Sequence, residues 1–136
     1  MGFARIALGL SALAFAGFGV ACLAAPVSLA ATVGIVLPEP AAVIDFRATY
    51  GGFEVGFALF LVWCLRAADR VRSGLVASAL AIAGFACTRL VALPIDGPPR
   101  PIIYWVVALE LSGVAVSLFA LRHLANWSRS RRGGTF

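Results

Sequence analysis

Two glutamates and two arginines lie inside or beside long apolar stretches, where a charged side chain is unfavourable. Glu54 and Glu110 fall within such stretches, and Arg47 and Arg89 also lie within or at the edge of apolar stretches. An ionisable side chain at the bilayer centre costs about 2.5–3.5 kcal/mol on insertion scales, so it normally faces the protein interior and has a partner. The four residues therefore predict a buried polar cluster in which the glutamates neutralise the arginines.

Three polar residues within the apolar stretch of residues 44–65 have the spacing of one helix face. Arg47, Tyr50 and Glu54 are separated by three, four and seven positions, which aligns them along one side of an α-helix. Gly51 and Gly52 leave space beside this side for another helix or a ligand. The spacing does not decide which arginine pairs with which glutamate.

Three functions fit this set of residues. The first is a binding pocket, in which Arg47 and Arg89 bind the head of a small amphipathic or lipid-like molecule and Tyr50 donates a hydrogen bond. The protein would do this alone or as a subunit of a larger membrane complex. In that pocket, Glu54 and Glu110 hold the arginines in place. The second is catalysis: a carboxyl group removed from water suits general acid–base chemistry, so Glu54 or Glu110 would isomerise or cyclise a hydrophobic substrate. The third is a scaffold, in which Arg–Glu pairs fix the helix register. A proton or ion carrier ranks below these, because the sequence shows neither an inverted repeat nor a broken helix.

Patterns for metal, cofactor or nucleophile sites are missing from the sequence. His123 is the only histidine, and the Glu-x-x-His repeats of a di-metal helical bundle do not occur. Cys22, Cys64 and Cys87 lie on separate apolar segments without a C-x-x-C pair, which is typical of small buried hydrophobic residues. We therefore expect neither a metal nor a cofactor.

The composition is that of a membrane protein. The chain has 136 residues, of which 62% are hydrophobic and 12% charged. Its mean hydropathy is +0.99. A soluble domain is about half apolar and about a quarter charged. This length suits a single four-helix transmembrane domain over residues 1–136.

Four apolar segments approach the roughly 20 residues that a helix needs to cross a bilayer. Because lipid cannot pair with backbone groups, they predict an all-α integral membrane bundle with up-down-up-down topology. The first is longer than the apolar core of a signal peptide, which favours a retained helix. Residues 27–37 are too short to span and predict an interfacial or re-entrant segment. The proline-rich stretch 94–101 predicts a turn that no helix continues through. The four segments cover residues 6–24, 44–65, 71–93 and 102–121.

The placement of arginines predicts the orientation. Arg5, the connection Arg66–Arg72 and a basic tail over residues 122–136 fall on one side, so both termini are predicted to be cytoplasmic in a bacterial inner membrane. The net charge of +5 suits anionic lipid headgroups, and no basic face with interleaved aromatic residues indicates nucleic acid. The expected partners are the bilayer, an amphipathic ligand and either a second copy or another membrane protein.

The chain resembles a bacterial family of four-helix membrane proteins known only as a domain of unknown function. The resemblance covers about residues 4–121 and rests on the stretch Arg47–Gly52, on Arg89 followed by Asp96-Gly97, and on Glu110. More distantly, the chain resembles the DoxX-like four-helix proteins, some of which accompany quinone-linked oxidoreductases. These resemblances imply the fold, the topology and the importance of the Arg, Tyr and Glu positions, and they imply no activity.

Overall fold

Helical segments form nearly all of the chain that the structure describes. The computed structural model describes residues 1–132, with side chains through residue 126. No strand occurs in this part of the chain. The segments are α1 (Gly2–Ala24), α2 (Pro26–Thr32), α3 (Pro40–Phe46), a π-helical segment π1 (Arg47–Gly52), α4 (Phe53–Leu65), α5 (Val71–Asp96) and α6 (Pro101–Arg132).

Four helical stretches are long and apolar enough to cross a membrane. Their most apolar windows have mean hydropathies between 1.5 and 2.2. Because α3, π1 and α4 follow one another without a break, they make up a single stretch. The predicted all-α fold with four membrane-spanning segments is therefore confirmed, and the direction of each segment across the bilayer stays a prediction. The stretches are Gly2–Ala24, Pro40–Leu65, Val71–Asp96 and Pro101–Asn126.

The main hydrophobic core lies at one end of the bundle, which we call the proximal end. There the start of α1 meets the end of α4 and the start of α5, and Leu8, Leu61 and Leu75 are fully buried. Arg5 links α1 to the end of α4 here, since its Nη2 donates a hydrogen bond to the carbonyl oxygen of Leu65 at 2.6 Å. Ala120 of α6 belongs to the same buried core, so all four long stretches meet at the proximal end.

The opposite, distal end holds a smaller cluster and the short helix α2. Cys22, Ala30 and Phe46 are buried together there. The predicted interfacial segment is thus a helix of seven residues, too short to span, followed by a non-helical run to Glu39. Arg100, from the turn between α5 and α6, donates Nη1 to the carbonyl oxygen of Ala31 at 2.6 Å. This bond ties that turn to α2.

Two helix ends differ from the prediction. The expectation that no helix continues past residue 93 was wrong, because α5 passes through Pro94 and ends at Asp96. A proline so close to the helix end disturbs only the last turn, and Gly97, with a φ of 90°, then ends the helix. Likewise, α6 continues to Arg132, because residues 122–132 contain neither Gly nor Pro. The remainder of the predicted basic tail, residues 133–136, and the side chains of residues 127–132 lie outside the described residues.

Candidate functional site

The segment π1 divides the predicted polar face into two environments. At its end, the N–H of Phe53 bonds the carbonyl oxygen of Ala48, five residues earlier. The wider turn rotates the residues after it relative to those before it. As a result, Glu54 is 5% exposed, whereas Tyr50 is 40% exposed and Arg47 is exposed as well. An uninterrupted α-helix would have placed the three side chains on one face. Here they do not share a buried face.

Glu54 lies buried at the contact between α4 and α1. A Cβ atom added to Gly19 would lie 2.8 Å from the Cβ atom of Glu54 and 2.9 Å from the backbone nitrogen of Val55. Only a residue without a side chain fits there. Within the described part of the chain, no hydrogen bond or ion pair reaches the Glu54 carboxyl group. The expected pairing of both glutamates with arginines therefore does not extend to Glu54.

Arg89 and Glu110 form an ion pair between α5 and α6. Nη1 of Arg89 donates a hydrogen bond to Oε1 of Glu110, and the two side chains are 34% and 13% exposed. The guanidinium carbon lies 5.8 Å from the centre of the Phe85 ring. The second oxygen of Glu110, Oε2, is buried and has no hydrogen-bond partner among the described residues. This pair answers the question of arginine–glutamate pairing that the sequence left open.

Arg47 lies in an open groove at the distal end, which we call the Arg47 groove. Its volume is about 460 Å³, and Arg47 is the only charged residue among the described residues that line it. Arg47 has no carboxylate partner within the described residues. Arg100 donates a hydrogen bond to the carbonyl oxygen of Ala31. It thereby brings a second positive charge to α2, the short helix that lines one side of the groove. The groove is lined by Ala24, Ala25, Pro26, Val27, Ser28, Ala31, Val43 and Arg47.

The five predicted site residues thus occupy three places instead of one pocket. Arg89 and Glu110 are in contact, Glu54 is buried against α1, and Arg47 lines the distal groove with Tyr50 on the same segment. The Tyr50 ring packs on Phe46, with ring centres 4.6 Å apart. A common binding role for the five residues stays a prediction.

Arg100 and the segment π1 are features that the sequence did not single out. A lone arginine in a proline-rich turn gives no indication of the carbonyl that it binds on another helix. Six residues that read as α-helical likewise give no warning of a π-helical turn. Among the described residues, no group of three or more His, Cys, Asp or Glu side chains is placed to hold a metal ion.

Comparison with known proteins identifies a family but no characterised relative. No curated protein and no solved structure matches the chain. One family model matches residues 3–121, a range that includes all four long helical stretches for most of their length and all five predicted site residues. The DoxX-like relation and the bacterial origin stay predictions. The chain belongs to the family described as a domain of unknown function, DUF4345.

Proposed function

We propose that this multi-pass membrane protein binds a small amphipathic molecule whose anionic head lies against Arg47. One observation carries the proposal: within the described part of the chain, Arg47 is the single charged residue that lines a groove of mostly apolar residues, and it has no carboxylate partner there. Arg47 is seven residues from the start of its helical stretch at Pro40, or about 10 Å along the axis. An uncompensated cation at such a depth favours an anionic ligand.

The chemistry of the groove suits an amphipathic molecule. The planar guanidinium of arginine matches a carboxylate or phosphate through two parallel hydrogen bonds. Val27, Val43 and the neighbouring alanines offer an apolar surface for the first carbons of the attached chain. Tyr50, on the same π-helical segment and 40% exposed, is proposed to donate a further hydrogen bond to the head. Arg100, in the turn between α5 and α6 and hydrogen-bonded to Ala31 of α2, contributes long-range attraction.

The test is native mass spectrometry of protein purified gently from its own membrane. We expect a stoichiometric anionic amphipathic molecule in the wild type and its loss in Arg47→Ala. Arg72→Ala is the matched control, because Arg72 is an exposed arginine at the proximal end whose side chain makes no hydrogen bond or ion pair in the described part. Equal ligand content in the two variants would overturn the proposal, and a copurified protein chain without any ligand would favour a subunit of a membrane complex instead.

A cofactor-free isomerase or cyclase is the second candidate, and Glu54 is the observation that favours it. A general acid must not be held by an arginine, and the Glu54 carboxyl is buried without an ion pair in the described residues. The adjacent π-helical segment is of a kind that frequently occurs at functional sites. Lipid extracts of membranes containing the wild type or Glu54→Gln should then differ in the ratio of two isomeric lipids. Identical extracts would contradict this candidate.

A further inference from the structure

We propose that a groove on α5, which we call the Asp96 groove, binds a phospholipid with a primary ammonium head, of the phosphatidylethanolamine class. The groove has a volume of about 390 Å³ and lies along the distal part of α5. It shares no lining residue with the Arg47 groove. The proposal therefore goes beyond the proposed function and can fail without it. The groove is lined by Cys87, Thr88, Val91, Ala92, Ile95 and Asp96.

Asp96 gives the groove its charge. Among the described residues that line the groove, Asp96 is the only charged one. It is exposed, and within the described part of the chain it makes no hydrogen bond through its side chain and no ion pair. A carboxylate forms shorter and stronger hydrogen bonds with a cationic donor than neutral groups form with each other. This accessible acceptor at the end of the groove therefore favours a cationic group.

The rest of the groove is an apolar surface that suits an acyl chain. From Cys87 to Asp96 the helix rises about 14 Å along its axis. Val91 and Ile95 are 62% and 73% exposed there, and the small side chain of Ala92 also lines the groove. Lipid tails are as apolar as these side chains and pack against them. The apolar surface next to the carboxylate thus favours an amphipathic lipid over a small soluble amine.

The position of Asp96 along α5 matches the level of a lipid head. Helix α5 has 26 residues and is about 39 Å long. The hydrocarbon core of a bilayer is about 30 Å thick, so the last residue of α5, Asp96, reaches the headgroup layer. The other residues of the groove precede Asp96 on the helix and extend toward the hydrocarbon. A lipid of the bilayer would therefore place its head at Asp96 and its chain along Val91.

The carboxylate of Asp96 distinguishes between lipid heads. A primary ammonium carries a positive charge and three N–H donors, and Asp96 can accept from one of them. A choline head has the same charge but no N–H group. A serine head carries an additional carboxylate, which Asp96 repels. The ethanolamine head is therefore the class that fits this acceptor.

The experiment compares two zwitterionic phospholipids with the same acyl chains. Palmitoyl-oleoyl phosphatidylethanolamine and palmitoyl-oleoyl phosphatidylcholine are each titrated against the detergent-solubilised full chain by native mass spectrometry. Anionic lipids are left out, because they would also bind the arginines elsewhere on the chain. We expect the ethanolamine lipid to bind at least about three times more tightly, a ratio that an exposed ion pair supports. Equal binding of the two lipids would overturn the proposal.

Variants then locate the preference. Asp96→Asn removes the charge of an exposed side chain and should bind the two lipids about equally. Asp45→Asn is the matched control and should keep the preference, because Asp45 is an exposed aspartate of the distal end that is not among the residues lining either groove. Arg47→Ala should keep the preference too, which separates this proposal from the proposed function. A preference that survives in Asp96→Asn, or is lost equally in Asp45→Asn, would overturn the proposal.

Discussion

Gly19 on α1 and Glu54 on α4 meet so closely that a Cβ atom on Gly19 would lie 2.8 Å from the Cβ atom of Glu54. The same Cβ atom would lie 3.0 Å from the carbonyl oxygen of Gly51, in π1. Small residues allow this kind of close backbone approach between helices in lipid. The contact packs the buried glutamate and the end of the π-helical segment against α1. Helix α1 therefore helps to position the stretch that carries Arg47 and Glu54, the residues of the two proposed functions.

Gly19→Ala should weaken this contact. The new methyl group would overlap backbone atoms of π1 and α4, which cannot move aside as a flexible side chain would. We expect a loss of about 1–3 kcal/mol, as in other overpacked interfaces, measured as a lower unfolding temperature in detergent. Gly17→Ala is the matched control on the same helix, because no atom lies within 4 Å of its added Cβ. Equal unfolding temperatures would contradict the contact.

Removal of one partner from the Arg89–Glu110 pair should lower the unfolding free energy more than removal of both. Arg89→Leu leaves a buried carboxyl without its donor, and a loss of up to about 3 kcal/mol is expected, the low end for fully buried pairs, because Arg89 is 34% exposed. Adding Glu110→Leu should recover most of that loss. A double-mutant cycle on the unfolding free energies measures the coupling, and a value near zero would mean that the pair contributes nothing to stability.

Arg5→Ala should loosen the proximal end of the bundle. The variant removes the bond from Nη2 to the carbonyl oxygen of Leu65, the last residue of α4. Because the bond has a charged donor and is exposed, we expect a loss of about 1 kcal/mol, visible in chemical or thermal unfolding. Arg66→Ala is the control, since the neighbouring Arg66 side chain makes no hydrogen bond in the described residues. The prediction fails if the two variants unfold alike.

Arg70 should influence the fluorescence of Trp63. The Arg70 guanidinium carbon lies 4.1 Å from the centre of the Trp63 ring, within range of a cation–π interaction of about 0.5–1 kcal/mol at an exposed site. In a background with Trp105→Phe and Trp127→Phe, Arg70→Ala should shift the emission maximum and intensity of the remaining tryptophan. The same spectrum before and after the substitution would contradict the interaction. Arg72→Ala in that background serves as the control.

The sequence by itself determined the membrane helices and their approximate limits. Four stretches of about 20 apolar residues leave few alternatives, because the backbone N–H and C=O groups in lipid must pair within each stretch. The short segment after α1 was also predictable, since Pro26 and the stretch Pro38–Pro40 enclose a run too short to span. Glu54 was recognisable as a buried residue for a related reason, because a carboxyl in an apolar helix avoids lipid.

Only the tertiary structure decided how the polar residues combine. Helical spacing placed Arg47, Tyr50 and Glu54 on one face, and a single π-helical turn separated them, because one extra residue in a turn rotates everything after it. The pairing of Arg89 with Glu110 depends on how α5 and α6 rotate about their axes when they pack. That rotation results from many small contacts between distant parts of the chain, and no local sequence pattern records it.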